Sequence, residues 1–301
     1  MSQKNILITG AEGFIAINLA TYLSKKHFNI FGIGNKKFER KISSKFGYKF
    51  LVNTEVNKKN LKKNFNNIDV IIHCAGSGIV GLSKKKNYKR NFLTTKNVLD
   101  FSRNQKKKPR IIFMSSYSIY GNSYSSAIQE NYKLKPLSSY AITKKESENI
   151  LLRYSKLYSL NVTILRLASI YGNGLRKQLI FDTCQKIYKN RNIFYGTGNE
   201  IRDWLHISDL CTLVYKILKK DSEIKIINCG SGKGNKVKTI IGFIKKEFNS
   251  RIKTRFIRNK NKEPKILKIN IAVAKSFGWY PKMSLKKGIL KYVRWYKKNY
   301  D

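Results

Sequence analysis

The sequence predicts an α/β fold: a doubly wound parallel sheet followed by a smaller C-terminal α/β lobe. Three observations carry that prediction. Short apolar runs alternate with helix-length polar stretches through the first half of the chain, the rhythm of a sheet covered on both faces. A glycine turn stands between the first apolar run and the first helical stretch, where strand–turn–helix units place it. Past about residue 170, glycines break the rhythm into loops.

In chain order, Asn5–Thr9 reads as a buried strand and Phe14–Lys26 as a helix with Leu19, Tyr22 and Leu23 on one face. Further strands are predicted over Asn29–Ile33, Lys49–Val52, Val70–Ala75, Arg110–Met114 and Asn161–Leu167. Long helices are predicted over Asn87–Arg103 and Ser139–Tyr158. Beyond the breaks at Gly172, Gly174, Gly196 and Gly198, helices are predicted at Ile180–Lys189, Ile207–Lys219, Lys238–Phe248 and Leu285–Lys298. The run Asn259–Lys262 reads as a solvated loop.

The 301 residues hold 62 Lys and Arg against 17 Asp and Glu, a formal charge of +45. Such a charge invites a nucleic-acid partner. The lysines are spread along the whole chain among many Asn and Ile, however, and no helix-turn-helix, zinc finger or RNA-binding aromatic motif accompanies them. The charge instead favours anionic small ligands. Cys74, Cys184, Cys211 and Cys229 form no CxxC, and His27, His73 and His206 are the only histidines, so neither a disulfide framework nor a metal site is expected. No apolar run reaches membrane-spanning length. The N-terminal residues show no secretory pattern, so a cytoplasmic protein without a membrane partner is expected.

Thr9-Gly10-Ala11-Glu12-Gly13-Phe14-Ile15-Ala16 follows a strand and opens a helix, the setting of a dinucleotide turn. Gly10 takes a backbone conformation closed to side chains. Gly13 lets the backbone approach a pyrophosphate. The helix start at Phe14 and Ile15 offers N–H groups and a positive dipole end, and Ala16 lets the helix pack closely on the strand. In NAD sites an acid ends the second strand. Here Gly34 and Asn35 stand there, followed by Lys36, Lys37 and Arg40. Those cations favour the 2′-phosphate of NADP, with NAD as the alternative cofactor.

Strand Arg110–Met114 runs on into Ser115-Ser116-Tyr117-Ser118, and a helix then begins Ser139-Tyr140-Ala141-Ile142-Thr143-Lys144. Residues four apart on a helix share a face. The Lys144 ammonium beside the Tyr140 phenol is expected to lower its pKa and fit it for proton transfer. Ser116 is expected to orient the same substrate oxygen, and Lys144 also to hold the nicotinamide ribose.

With these pieces in line, the chain resembles the extended short-chain dehydrogenase/reductase group, specifically the NAD-dependent epimerase/dehydratase family that acts on nucleotide sugars. The resemblance runs nearly end to end. It takes in Thr9–Ala16, His73-Cys74-Ala75-Gly76, Asn91 within Asn91–Leu99, Ser115–Gly121, Tyr140–Lys144, Leu165–Gly172, Gly196–Trp204, His206–Asp209 and Phe277–Pro281. It implies a Rossmann-like cofactor domain over residues 1–170 and a substrate lobe over 171–301, with an approximate boundary and a chain that crosses between the two. It adds Ala75, Gly76 and Asn91 to the cofactor residues. It makes Ser118, Ser169, Arg176, Gln178 and Arg202 candidates for the substrate, with Arg202 a diphosphate contact or else a structural pair with Asp203 or Asp209. Relatives often pair through two helices of the first domain, here Asn87–Arg103 and Ser139–Tyr158, so a homodimer through them is an expectation.

The departures from the family pattern are instructive. Ala16 replaces a glycine, the second-strand acid is missing, and Asn53 stands where an adenine-contacting Asp is often found. The 4,6-dehydratases carry Asp-Glu where this chain has Tyr117 and Ser118, so water elimination lacks its acid and base. The resemblance therefore implies hydride transfer at C4 of a nucleotide-linked hexose, by an epimerase or a 4-keto reductase, with surface-polysaccharide synthesis as a family-level setting. The alternative is a non-catalytic dinucleotide-binding or nucleic-acid-associated protein on the same fold.

Overall fold

The computed structural model describes residues 3–35, 44–76, 82–121, 126–220, 225–257 and 265–300. Among them, a seven-stranded sheet forms the centre of the first compact unit. Its strands are β1 (Asn5–Thr9), β2 (Asn29–Gly34), β3 (Phe50–Asn53), β4 (Val70–His73), β5 (Arg110–Ser116), β6 (Val162–Leu167) and a seventh strand, Ile226–Cys229. The spatial order is seventh strand, β6, β5, β4, β1, β2, β3. Pairings from β3 through β5 are parallel, with Ile6 opposite both Ile30 and Val70, and Ile71 opposite Ile111. The seventh strand follows suit. Ile164 N donates to Lys225 O and Ala168 N to Cys229 O, equal steps in the same direction along both strands.

The first unit comprises Met1–Ile119, Pro136–Arg166 and Ile217–Ile227. Its central strands are buried on both faces, with Ile6, Leu7, Ile8, Ile71 and Ile72 all fully covered, as parallel sheets require. Leu7, Ile33, Ile71, Val98 and Phe101 make one core cluster. Leu99, Ile111, Phe113, Leu151, Val162 and Ile164 make another. The helices are α1 (Phe14–Ser24), α2 (Lys58–Asn64), α3 (Lys84–Asn87), α4 (Thr94–Arg103) and α5 (Ser139–Tyr158). The Ser138 side chain caps α5 by accepting from Ala141 N at 3.1 Å.

One helix departs from expectation. Asn87–Arg103 is not continuous α-helix, because the turn Tyr88–Leu93 between α3 and α4 is π-helical. The polar side chains of Asn87 and Asn91 are buried and anchored there. Asn87 Nδ2 donates to Ser139 Oγ (2.9 Å) and Leu82 O (3.1 Å). Widened turns of this kind re-aim one residue of a helix, and here that residue is Asn91.

The second unit comprises Tyr120–Lys135, Leu167–Lys216 and Asn228–Asp301. Its strands are short: β7 (Ser169–Tyr171), β8 (Ile193–Tyr195), β9 (Ile201–His206), β11 (Gly234–Lys236), β12 (Arg255–Ile257) and β13 (Ile266–Leu267), counting the seventh strand of the large sheet as β10. β9 pairs with β11, β13 and β7. Helices α6 (Gln178–Tyr188), α7 (Ile207–Lys219), α8 (Val237–Glu247), α9 (Ala272–Lys275) and α10 (Leu285–Tyr300) complete the order. Trp279 is buried, and its indole N–H donates to Asp209 O and Thr212 Oγ1, both at 3.0 Å. The short strands between glycines were not predicted. Three-residue strands carry too few alternations to show a period.

Candidate active site

In an open α/β sheet the ligand crevice lies beyond the carboxyl ends of the strands, and Gly10, Ala75, Gly76 and Ser116 stand at or just past the ends of β1, β4 and β5. Gly10 follows β1 with φ +66°, and a Cβ on it would lie 2.8 Å from Ala75 Cα. Only glycine fits, on torsion and on space. The turn is closed by Gly13 N donating to Gly10 O at 2.8 Å and clamped to β2 by Ala11 N donating to Ile33 O at 3.1 Å. Gly13 is the N-cap of α1 without a side-chain cap, and no acid sits in the first turn. The N–H groups at Phe14 and Ile15 are thus left for an anion. Ala16 is fully buried. Asn35 is exposed at the end of β2, and Lys36, Lys37 and Arg40 lie outside the described residues.

Beyond β4, Ala75 is buried and Gly76 has φ +152°. A side chain on Gly76 would collide with Asn91 Oδ1, 2.6 Å from a Cβ there, with Lys144 Nζ next at 3.5 Å. The bare backbone at Gly76 thus keeps a cradle open between β4, the π-turn and α5. Buried His73 fastens the same corner. Ala75 N donates to Thr9 Oγ1 (3.2 Å), which lies 2.6 Å from His73 Nδ1. His73 Nε2 lies 3.0 Å from Thr95 Oγ1, which donates to Asn91 O (2.7 Å). With Thr95 donating onward, Nε2 carries the proton and Nδ1 accepts from Thr9. Burial, helped by the nearby Lys144 cation, drives His73 down to about 3, so it is neutral at physiological pH.

Ser116 ends β5, with its Oγ 2.9 Å from Ser118 Oγ, and hydrogen-bonds the Tyr140 phenol. Tyr140 lies in the first turn of α5, half-buried, with Lys144 one turn on and buried. Lys144 Nζ donates to Met114 O at 2.7 Å and lies 4.5 Å above the Phe113 ring. Burial lowers Lys144 to about 8, resisted by Cys74 and by Glu148, one helical turn further along α5. The expected depression of Tyr140 by Lys144 is not what the folded chain shows. Burial pushes the phenol above its ordinary value, and the Ser116 hydrogen bond offsets only part of that. In this state burial keeps the Tyr140 phenol protonated.

Three residues behind this group escaped sequence reasoning. Glu148 accepts from Ser115 Oγ at 2.5 Å and from Arg166 Nη2 at 2.8 Å, with Arg166 Nε also in reach at 3.2 Å. The pair is almost fully buried. It ties α5 to β5 and β6 directly behind Lys144. The available signal was periodicity: Tyr140, Lys144 and Glu148 repeat every fourth residue along one face.

In the second unit, Ser169 begins β7, Arg176 is exposed and lies 5.9 Å from the Tyr300 ring, and exposed Gln178 opens α6 at φ +69°. Arg202 lies on β9 and donates to Ile201 O at 3.0 Å. Its acidic neighbours are engaged elsewhere. Asp203 accepts from Ser231 N and Oγ (both 2.7 Å) and Gly232 N (2.9 Å), and Asp209 from Met283 N (2.9 Å).

The family model described as NAD dependent epimerase/dehydratase matches residues 6–230. The chain belongs to that family. It is 27% identical over 315 residues to the UDP-glucuronate 4-epimerase of Thermodesulfobacterium geofontis, covering 98% of this chain and 97% of the relative. It is 25% identical over 319 residues to the dTDP-D-glucose 4,6-dehydratase of Bos taurus, covering 99% and 90%. Among solved structures, the UDP-glucuronic acid 4-epimerase of Bacillus cereus in complex with UDP-glucuronic acid and NAD shares the fold. The TM-score is 0.89 at 23% identity, over 98% of this chain and 100% of that one. Among the described residues, no helix is long and apolar enough to cross a membrane. The family's dinucleotide is a nicotinamide one. The sequence-based leaning to NADP gains no support from a neighbour bound to NAD.

Proposed function

We propose that this chain is an NAD-dependent 4-epimerase of a UDP-linked hexose or hexuronate, with Ser116, Tyr140 and Lys144 as its catalytic residues. The observation that carries this reading is the placing of Tyr140, hydrogen-bonded to Ser116, one helical turn from Lys144, whose Nζ borders the Gly76 cradle beside Asn91. NAD, when bound, accepts a hydride from C4 of the sugar and gives one back. The chain's own part is proton transfer. Tyr140, once it has lost its own proton to solvent, takes the C4 hydroxyl proton as phenolate and returns it, Ser116 holds the same oxygen, and Lys144 supplies the positive charge that the phenolate needs against the cost of burial. Tyr140 also sits at the positive end of α5, which favours the anion further.

Ser169, Arg176, Gln178 and Arg202 are the proposed substrate residues, with Arg202 on the diphosphate, where a guanidinium forks two oxygens. Water elimination is disfavoured: buried Tyr117 and Ser118, whose Oγ meets Ser116, stand where an acid and base are needed. The test is incubation with UDP-glucose or UDP-glucuronate without added cofactor. A 4-epimer seen by NMR supports the reading. Conversion only of a 4-keto nucleotide sugar, with consumption of added NADPH, would make the protein a reductase instead.

A further inference from the structure

The second strand of this chain ends without the acid that NAD sites carry there. The structure shows a carboxylate in that place all the same, delivered from the glycine turn. The Glu12 side chain, between Gly10 and Gly13, reaches the end of β2. A Cβ on Gly34 would overlap Glu12 Oε2 and lie 2.7 Å from its carboxyl carbon. Gly34 is not among the positive-φ glycines, so space rather than torsion excludes a side chain there. The loop that carries Glu12 is fixed on both sides: Ala11 N donates to Ile33 O at 3.1 Å, and the buried Tyr48 hydroxyl donates to Ala11 O at 2.9 Å. Glu12 is only partly buried, but its Oε2 is covered against Gly34 and, among the described residues, has no hydrogen-bond partner. A buried acceptor left unmatched is costly and calls for a reason.

We infer that Glu12 is the specificity-determining residue of the cofactor site. Its carboxylate takes the place of the missing strand-end acid, receives the adenosine ribose hydroxyls and selects NAD over NADP. A carboxylate accepts hydrogen bonds from a vicinal diol, whereas a 2′-phosphate at the same place meets like charge from it. Gly34 is then not the mark of an NADP enzyme. It is the space that Glu12 occupies. This inference rests on the dinucleotide reading of the site.

The test is calorimetric titration of NAD and NADP into protein stripped of bound nucleotide, for the wild type, Glu12→Gln, Glu12→Ala and the double variant Glu12→Ala with Gly34→Asp. The wild type should prefer NAD by tenfold or more. Glu12→Ala and the isosteric Glu12→Gln should each weaken NAD by about tenfold, one charged hydrogen-bonding contact, and narrow the preference. The double variant, with the acid returned to the strand end, should recover it. An NAD-to-NADP ratio unchanged in Glu12→Gln and Glu12→Ala overturns the inference and leaves the dinucleotide site standing. Failure of the wild type to bind either nucleotide overturns both.

Discussion

The first unit buries its ionised groups in partnership, whereas the second buries carboxylates one at a time among backbone and hydroxyl donors. Glu148 meets Arg166 through paired contacts, and Lys144 is held between a carbonyl and a ring. Asp203, fully buried on β9, accepts from Ser231, Gly232 and the Ile269 backbone, and burial raises it to about 6 despite those donors. The difference separates two uses of a buried polar group. In the first unit a buried charge is matched by an opposite charge or held against a carbonyl and a ring. In the second, a carboxylate organises a loop, and neutral donors suffice even though they do not fully offset desolvation.

The largest effect should come from the reactive group. Tyr140→Phe should lower kcat by about 10²- to 10⁴-fold while calorimetry finds NAD affinity little changed. Full turnover in that variant would remove the proton-transfer role. Because Lys144 loses its proton near 8, kcat should also decline above that pH as its positive charge disappears. A profile flat to pH 10 would show that the ammonium is dispensable.

Next comes the support behind it. Glu148→Gln leaves the Arg166 guanidinium buried without its counter-charge, and denaturant titration should find a loss of about 3–5 kcal/mol. The matched replacement Glu148→Leu with Arg166→Met should lose much less. Equal losses would mean that packing, not charge pairing, is what the pair provides.

A smaller effect sets the two units against each other as pH changes. His73 is held at about 3, below its unfolded value of 6.5. Between those values the unfolded state binds the extra proton, so His73 costs stability as pH falls from about 6.5 towards 3. Asp203 is raised from 3.8 to about 6. Between those values the folded state binds the extra proton, so Asp203 costs stability as pH rises from about 4 to 6. Amide exchange read separately on β4 and β9 should show opposite trends across pH 4–6, and Asp203→Asn should flatten the β9 trend. Parallel trends would refute the opposition. The smallest expected change is in substrate affinity: Arg202→Ala should raise KM about tenfold with kcat nearly kept, the mark of a ground-state phosphate contact.

Much of the first unit was legible because long-range order there repeats a local pattern. Five-residue apolar runs, a glycine turn with its helix, and Tyr140 with Lys144 on one helical face are each contained within a few residues. The π-turn at Tyr88–Leu93 was not legible. It exists because Asn87 must reach Ser139 and Asn91 must face Gly76, contacts made across some fifty and fifteen residues of chain respectively. The pairing of Glu148 with Arg166, and the strands of two to three residues in the second unit, were hidden for the same reason. Their partners are distant in sequence, and their own lengths carry no period.

By itself the sequence determined the parallel sheet, the placing of the glycine turn, the sharing of one helical face by Tyr140 and Lys144, and the family. Each follows from local spacing and from residue types whose physics is set before folding. Only the tertiary structure decided the protonation of Tyr140, His73 and Asp203, because burial governs each and burial is a property of the assembled core. It also decided where the acid near Gly34 comes from. Position along a strand names one residue, but space at the strand's end is filled by whichever side chain the fold brings there, and here that side chain is Glu12.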